Sequence, residues 1–177
     1  MKIHGILKGR AVTIPNKKDE ARLLSKHYGK RDKLGLFKLN LVEAEYLQDK
    51  NRLSVVDLAG KIVDLTKIII NSKTLKIERA VYAKLRLDGY VVDFDKTRVA
   101  NMTRNTTNFS RLQKIWVCYK KKEKYLVRIL DENSALKWQN LFKLTDLAAK
   151  NKIKLILAIV DKDEDVTLES VQFTNLK

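Results

Sequence analysis

The run Lys154-Leu155-Ile156-Leu157-Ala158-Ile159-Val160 constrains this chain more than any other segment. It is almost continuously apolar over the length of one strand and has no polar face to offer water, so it predicts a strand covered on both sides. Such a strand needs neighbours in a sheet and helices to cover it. The flanking sequence supplies both. A helix over about 75–88 is closed by Gly89, and an apolar strand over 90–94 follows. A hairpin pairs 115–119 with 125–130. A long helix over about 134–150 turns Leu136, Leu141, Leu144 and Ala148 inward, and 166–173 alternates as a last strand. Helix, strand, hairpin, helix, buried strand and strand, in that order, predict a mixed β-sheet flanked by helices.

The first half reads differently. Gly5 to Ile14 carries apolar residues in near alternation, a bent strand pair ended by Pro15. Asp19 can cap a helix over 20–28 with Gly29 as its left-handed stop. Asn40 followed by Glu43 has capping-box spacing ahead of a helix that carries Leu41, Ala44, Tyr46 and Leu47 and ends near Asp49. A third amphipathic segment over 54–69 has Val55, Leu58, Ile62 and Leu65 at helical spacing, although Ile68-Ile69-Ile70 suits a short strand equally well. Asn71-Ser72-Lys73 reads as a linker. The expected fold class is therefore α/β (α+β), with two small mixed domains over 1–73 and 74–177.

Composition narrows the chemistry. One cysteine, Cys118, excludes an internal disulfide, and with two histidines there are too few ligands for a zinc site, so no metal or cofactor is expected. No apolar run approaches the roughly 20 residues that span a bilayer, and the first residues lack the order of a signal peptide. A soluble, cytoplasmic protein is expected, with no membrane partner. The net charge of +16 and pI near 9.9 draw in polyanions, nucleic acid first. Heat adaptation accounts for part of such a charged surface. It accounts less well for residues 96–124, which hold nine Lys/Arg against Glu123 alone. Within and beside the polar loop expected over 95–113, Arg98, Arg104, Arg111, Lys114, Lys120, Lys121 and Lys122 are candidates for RNA phosphates, which position a ligand without reading its sequence. The same cations could instead receive an acidic segment of a partner.

Particular residues carry a resemblance. The order Tyr82-x-x-Leu85-Arg86-x-x-Gly89-Tyr90-Val91-Val92, then Val117-Cys118-Tyr119 and Tyr125-Leu126-Val127, resembles the C-terminal domain of archaeal tRNA-splicing endonucleases. Gly5-x-Leu7-x-Gly9-x-x-Val12, Tyr28-Gly29 and Leu39-x-x-x-Glu43-Ala44-x-Tyr46-Leu47 are similar to that family's N-terminal domain. Membership implies metal-independent cleavage of bulge-helix-bulge RNA in precursor tRNA. In such an enzyme a tyrosine acts as base, a histidine protonates the leaving oxygen and a lysine steadies the transition state.

This chain departs from that set. Tyr119 stands at the tyrosine's place, but no histidine follows His27, and the connection where one belongs is Lys120-Lys121-Lys122-Glu123-Lys124. A lysine, with an ordinary pKa of about 10.4, is a poor general acid near neutrality. The family lysine falls on Ile153, and a slip of one residue would restore it at Lys152 or Lys154. The family's RNA-stacking arginine falls on Asp146. No catalytic residue is therefore assigned, and the resemblance implies a structural subunit.

It also implies partners. Family modules dock an acidic loop into a basic cleft of another module, and Asp161-Lys162-Asp163-Glu164-Asp165 is the matching segment. Asp161, Asp163, Glu164 and Asp165 are thus interface candidates. Val171, Phe173 and Leu176 would add apolar contact where C-terminal strands pair. The expected assembly is a heterotetramer of two structural and two catalytic subunits acting on precursor tRNA. Two other readings stay open: a stand-alone basic RNA-binding protein derived from the same fold, and a divergent nuclease using Tyr119 with Lys122 or Lys154. His4 and His27 read as surface or packing residues.

Overall fold

The computed structural model describes residues 2–94, 115–134 and 136–171. The loop expected over 95–113 lies outside the described residues. The chain divides into two compact units, Met1–Arg79 and Ala80–Lys177.

In the first unit the strands β1 (Ile3–Lys8), β2 (Ala11–Thr13), β3 (Lys30–Arg31), β4 (Phe37–Asn40) and β5 (Leu53–Val56) form one sheet in the order β3-β4-β2-β1-β5. β5 runs parallel to β1, and the other pairs are antiparallel. The expected strand pair before Pro15 is β1 and β2. Gly5 is required between them, because a Cβ there would stand 2.4 Å from Val12 Cγ1. Helix α2 (Leu41–Asp49) opens with the capping box read from Asn40 and Glu43. Glu43 serves a second end as well, since the Gly29 N–H donates to its Oε1 at 2.9 Å. Gly29 itself sits at φ +64, with its α-carbon against the Phe37 ring. Val12, Leu39, Ala44, Leu53 and Val55 are fully buried in this unit's core.

Two local expectations are corrected. Helix α1 spans Lys17–Leu24 rather than 20–28, and its cap is Asn16, which accepts from the Lys18 and Asp19 N–H groups; Asp19 lies inside the first turn. The chain leaves the helix early because His27 adopts a left-handed φ of 57° and Tyr28 turns into the core at 4 % exposure. The segment over 54–69 is not one helix. Its start is strand β5, its middle is a turn in which Asp57 Oδ1 accepts from Ala59 and Lys61 N–H at 2.9 Å, and only Leu65–Ile70 is helical (α3), capped by Asp64. Val55 and Leu65 are buried as their spacing suggests, but from different elements; Leu58 and Ile62 face solvent. Gly60, at φ +82, interrupts the helical reading. Ile68-Ile69-Ile70 is helix, not strand.

Helix α4 (Lys73–Leu87) begins directly at the expected linker and carries the chain across the boundary between units. The second unit is a sheet of β6 (Val91–Asp93), β7 (Ile115–Lys120), β8 (Glu123–Asp131), β9 (Lys154–Val160) and β10 (Val166–Val171), in the order β10-β9-β8-β7-β6. Helix α5 (Trp138–Lys150) is the crossover between the parallel pair β8 and β9, and it starts four residues later than its expected 134. The other pairs are antiparallel, so the sheet is mixed. Leu155, Ile156, Ala158 and Val160 of the apolar run are buried, from both faces of β9. On the α5 side, Val117, Leu126, Leu144, Leu147, Ala148, Ile153 and Leu155 form one cluster. Full burial of a leucine such as Leu126 or Leu144 contributes about 2 kcal/mol.

Candidate functional site

The strands β7 and β8 pair to the end, with Lys120 opposite Glu123, so the connection is only Lys121-Lys122. Each strand is longer than the sequence pattern suggests, and the five-residue connection shrinks to two. Lys121 makes the reversal at φ +55. Tyr119 is paired in the ladder with Lys124, and only the pair of Lys120 with Glu123 separates it from the turn.

Strand alternation then sorts the nearby side chains onto two faces. Tyr119 lies on the α5 side, half-buried against the cluster that contains Ile153. Ile153, where the resemblance places a lysine, is 8 % exposed and part of that core. Lys154 lies on the opposite face, aligned with Tyr125 and through it with Cys118. Its ammonium donates to Glu123 Oε1 at 2.6 Å, and the Tyr125 hydroxyl donates to the other carboxylate oxygen. A one-residue slip therefore does not bring Lys154 to Tyr119. Lys152 sits in the α5–β9 turn at φ +53.

The electrostatics follow these contacts. The hydrogen bond from Lys154, then that from Tyr125, holds the Glu123 carboxyl below its usual range. The same carboxylate pushes Tyr125 up to about 12. Tyr90 packs edge-on against Tyr125 at 5.1 Å between ring centroids and receives Lys120 Nζ 4.7 Å from its own centroid. Burial raises Tyr90 as well. Cys118 is fully buried, and burial pushes its thiol up. This face is a tied network of tyrosines, lysines and one carboxylate.

At the turn end of the sheet, Lys122, Glu123, Lys124, Asn151, Lys152 and Lys154 line an open groove of about 390 Å³. Sequence reasoning singled out the turn from Lys120 to Lys124 for RNA and weighed Lys152 and Lys154 only as places for the family lysine, and it missed Asn151. Their convergence depends on the register of β9 beside β8, which no local pattern encodes. Of the other cations, Arg98, Arg104, Arg111 and Lys114 lie outside the described residues. Asp146 is paired on the surface of α5 with Lys150 at 2.7 Å. His4 and His27 are exposed in the first unit.

The acidic segment forms the β9–β10 hairpin loop. Asp161 organises it, its Oδ1 accepting from the Asp163 and Asp165 N–H groups at 2.9 Å each, while Glu164 takes a left-handed φ of 67°. The carboxylates of Asp163 and Asp165 are exposed. β10 follows at the sheet edge, with no fully buried residue along it. Val171 is half-buried and packs against the α5-side cluster, so part of its surface serves this unit's own core. Phe173 and Leu176 lie outside the described residues. Sequence reasoning also missed Trp138 and Phe142, which are 84 % and 60 % exposed on the outer side of α5.

Among the described residues, no group of three or more His, Cys, Asp and Glu could hold a metal, and no helix is long and apolar enough to cross a membrane. Comparison with known proteins gives two matching family models. The tRNA intron endonuclease N-terminal domain matches residues 3–69, and the tRNA intron endonuclease catalytic C-terminal domain matches residues 116–168; together they cover more than half of the chain. The chain is 28% identical over 171 residues to the tRNA-splicing endonuclease of Methanothermobacter thermautotrophicus, covering 94% of this chain and 95% of that protein. It is 29% identical over 138 residues to the tRNA-splicing endonuclease of Pyrococcus horikoshii, covering 76% and 75%.

Proposed function

The chain belongs to the tRNA intron endonuclease family, and on that premise we propose that it is a structural subunit that assembles with a catalytic sibling to cut introns from precursor tRNA. Family membership supports the role in tRNA intron cleavage. The observation that carries the structural assignment is the closed β7–β8 hairpin. General acid catalysis needs a proton donor within hydrogen-bond reach of the leaving oxygen, with a pKa near the working pH. Two lysines in a two-residue turn supply neither a histidine nor the length of loop to place one. Ile153 lies in the core and Lys154 is tied to Glu123 on the opposite face, so neither stands beside Tyr119, whose ladder partner is Lys124.

Assembly is then the subunit's contribution. The hairpin loop Asp161–Asp165 presents the exposed carboxylates of Asp163 and Asp165 on a chain of net charge +16, the sign needed to dock in a basic cleft on a partner. Among the described residues β10 is an edge strand, the position at which a neighbouring strand can add to a sheet. The stoichiometry we infer is two structural and two catalytic subunits, in the cytoplasm, without metal or cofactor.

The test is to purify this chain, alone and mixed with an endonuclease subunit that retains the tyrosine, histidine and lysine, and to assay cutting of a bulge-helix-bulge RNA without added metal. Cleavage only by the mixture is expected. Cleavage by this chain alone would overturn the assignment.

A further inference from the structure

The first unit holds a small cavity of its own. Ile3 at the head of β1, Leu23 in α1, Tyr28 after that helix and Leu47 in α2 form its walls, and Arg22, Lys26 and Arg52 stand around them. The wall residues are only 2–6 % exposed, whereas the three cations face solvent. An apolar floor thus lies under a cationic rim. The backbone fixes both. The Ile3 N–H donates to the Arg52 carbonyl at 2.9 Å and the Arg52 N–H to the Leu47 carbonyl at 2.8 Å, so Arg52 is pinned to two of the walls. The N–H groups of Lys26 and Tyr28 both donate to the Leu23 carbonyl at 3.0 Å.

Helix C-termini attract cations through the dipole, which accounts for Arg22 in the last turn of α1. It does not account for Arg52, which lies beyond the end of α2 at Asp49 and has no ion pair among the described residues. The Leu23 and Leu47 carbonyls at these helix ends already accept from turn N–H groups, so they oppose an incoming anion only weakly. The cavity measures about 130 Å³. An apolar cavity of about 150 Å³ holds a benzene ring, so this one suits a single ring or a branched alkyl group. The aliphatic walls Ile3, Leu23 and Leu47 give the polar edges of a nucleobase no partner, and burying those edges unpaired is costly. A hydrocarbon body meets no such penalty. At the rim, an arginine fork matches a carboxylate with two parallel N–H donors.

We propose that this cavity binds a small organic acid, with its ring or branched alkyl body against Ile3, Leu23, Tyr28 and Leu47 and its carboxylate on Arg52. Arg22 shares its charge with Asp19 at 3.4 Å, so it and Lys26 add attraction while Arg52 is the anchor. All of these residues belong to the first unit, and the site is independent of RNA and of the sibling subunit. The same chemistry, a carboxylate beside one apolar group, also occurs at the end of a polypeptide whose last residue is apolar.

Phenylacetate is the probe, titrated into the full chain while the backbone amides are followed by NMR. Acetate tests the charge alone and benzyl alcohol the ring alone. Saturable phenylacetate shifts confined to residues 3, 22–28 and 47–53 are expected, with both controls about tenfold or more weaker. Shifts scattered over the chain, a titration that does not saturate, or equal binding of acetate would overturn the proposal. R52M keeps the stem of the side chain and both backbone hydrogen bonds of residue 52, and a thermal scan checks that the fold is retained. It should weaken phenylacetate about tenfold or more, while K33M, at an exposed lysine outside the cavity, should leave binding unchanged. Unaltered binding in R52M, or an equal loss in K33M, would refute the anchor. An acetylated tripeptide ending in phenylalanine separates the two sources. Binding no tighter than that of phenylacetate is expected; binding about tenfold tighter would make the cavity a receptor for a chain terminus and overturn the small-molecule assignment.

Discussion

The double variant D163A/D165A separates docking from folding. Both carboxylates are exposed, and the turn uses backbone groups of these residues, the two N–H groups and the Asp165 carbonyl that accepts from the Asp161 N–H, all of which alanine retains. The Asp161 carboxylate that organises the loop is untouched, and Glu164 is left in place because of its left-handed backbone. The two changes should therefore cost the fold less than about 1 kcal/mol, or under about 4 °C in Tm for a chain of this size. If the two side chains enter a basic cleft and lose water there, each broken pair costs about 2 kcal/mol in association. At 1.4 kcal/mol per tenfold, the Kd for the catalytic sibling should weaken roughly a thousandfold. Calorimetric titration with the sibling reads the Kd, and a thermal scan reads the fold. An unchanged Kd with an unchanged Tm would refute docking through this loop. D161A is the complementary variant, since it removes two hydrogen bonds to a charged acceptor and should loosen the turn itself.

Three further predictions concern buried groups. Burial raises Glu45 above its ordinary value of 4.5, so the folded state holds that proton more tightly than the unfolded chain, and stability falls as pH rises from 4.5 through the raised value. Arg79, 2.9 Å away, offsets this; R79M leaves a carboxylate that is 1 % exposed without its charge partner and should cost about 3 kcal/mol at pH 7 and clearly less at pH 4, by calorimetry. An equal loss at both pH values would refute it. Tyr125 should be among the last tyrosines to ionise, near 12, and Y125F should delete that step from an ultraviolet titration; an unaltered curve would contradict the Glu123 contact. Cys118, fully buried with a raised thiol pKa, should resist alkylating reagents until the protein unfolds, and rapid labelling of the native protein would contradict its placement.

Elements specified by local chemistry were legible in the sequence. The apolar run became β9, the Asn40–Glu43 spacing became a capping box, and the Gly89 stop and the alternation around Val117 and Val127 gave the helix–strand–hairpin order. Errors arose where one pattern had two solutions. Val55 and Leu65 satisfy helical spacing, but Asp57 and Gly60 put a turn between them. The grouping of Glu123, Tyr125 and Lys154 was illegible for another reason. It follows from the register of two parallel strands joined by a helical crossover, fixed by packing rather than by neighbouring residues. The missing histidine, by contrast, was visible in the sequence, and the fold adds that the hairpin leaves no loop in which a substitute could stand.

The central claim is that the chemistry belongs to the sibling and not to Tyr119. Y119F in this chain, assembled with a wild-type catalytic subunit, puts that claim to a single-turnover cleavage assay. The account predicts a rate within about twofold of wild type, because a hydroxyl that takes no part in proton transfer contributes nothing to the transition state. A fall of about a hundredfold or more, the scale of a lost general base, would contradict it.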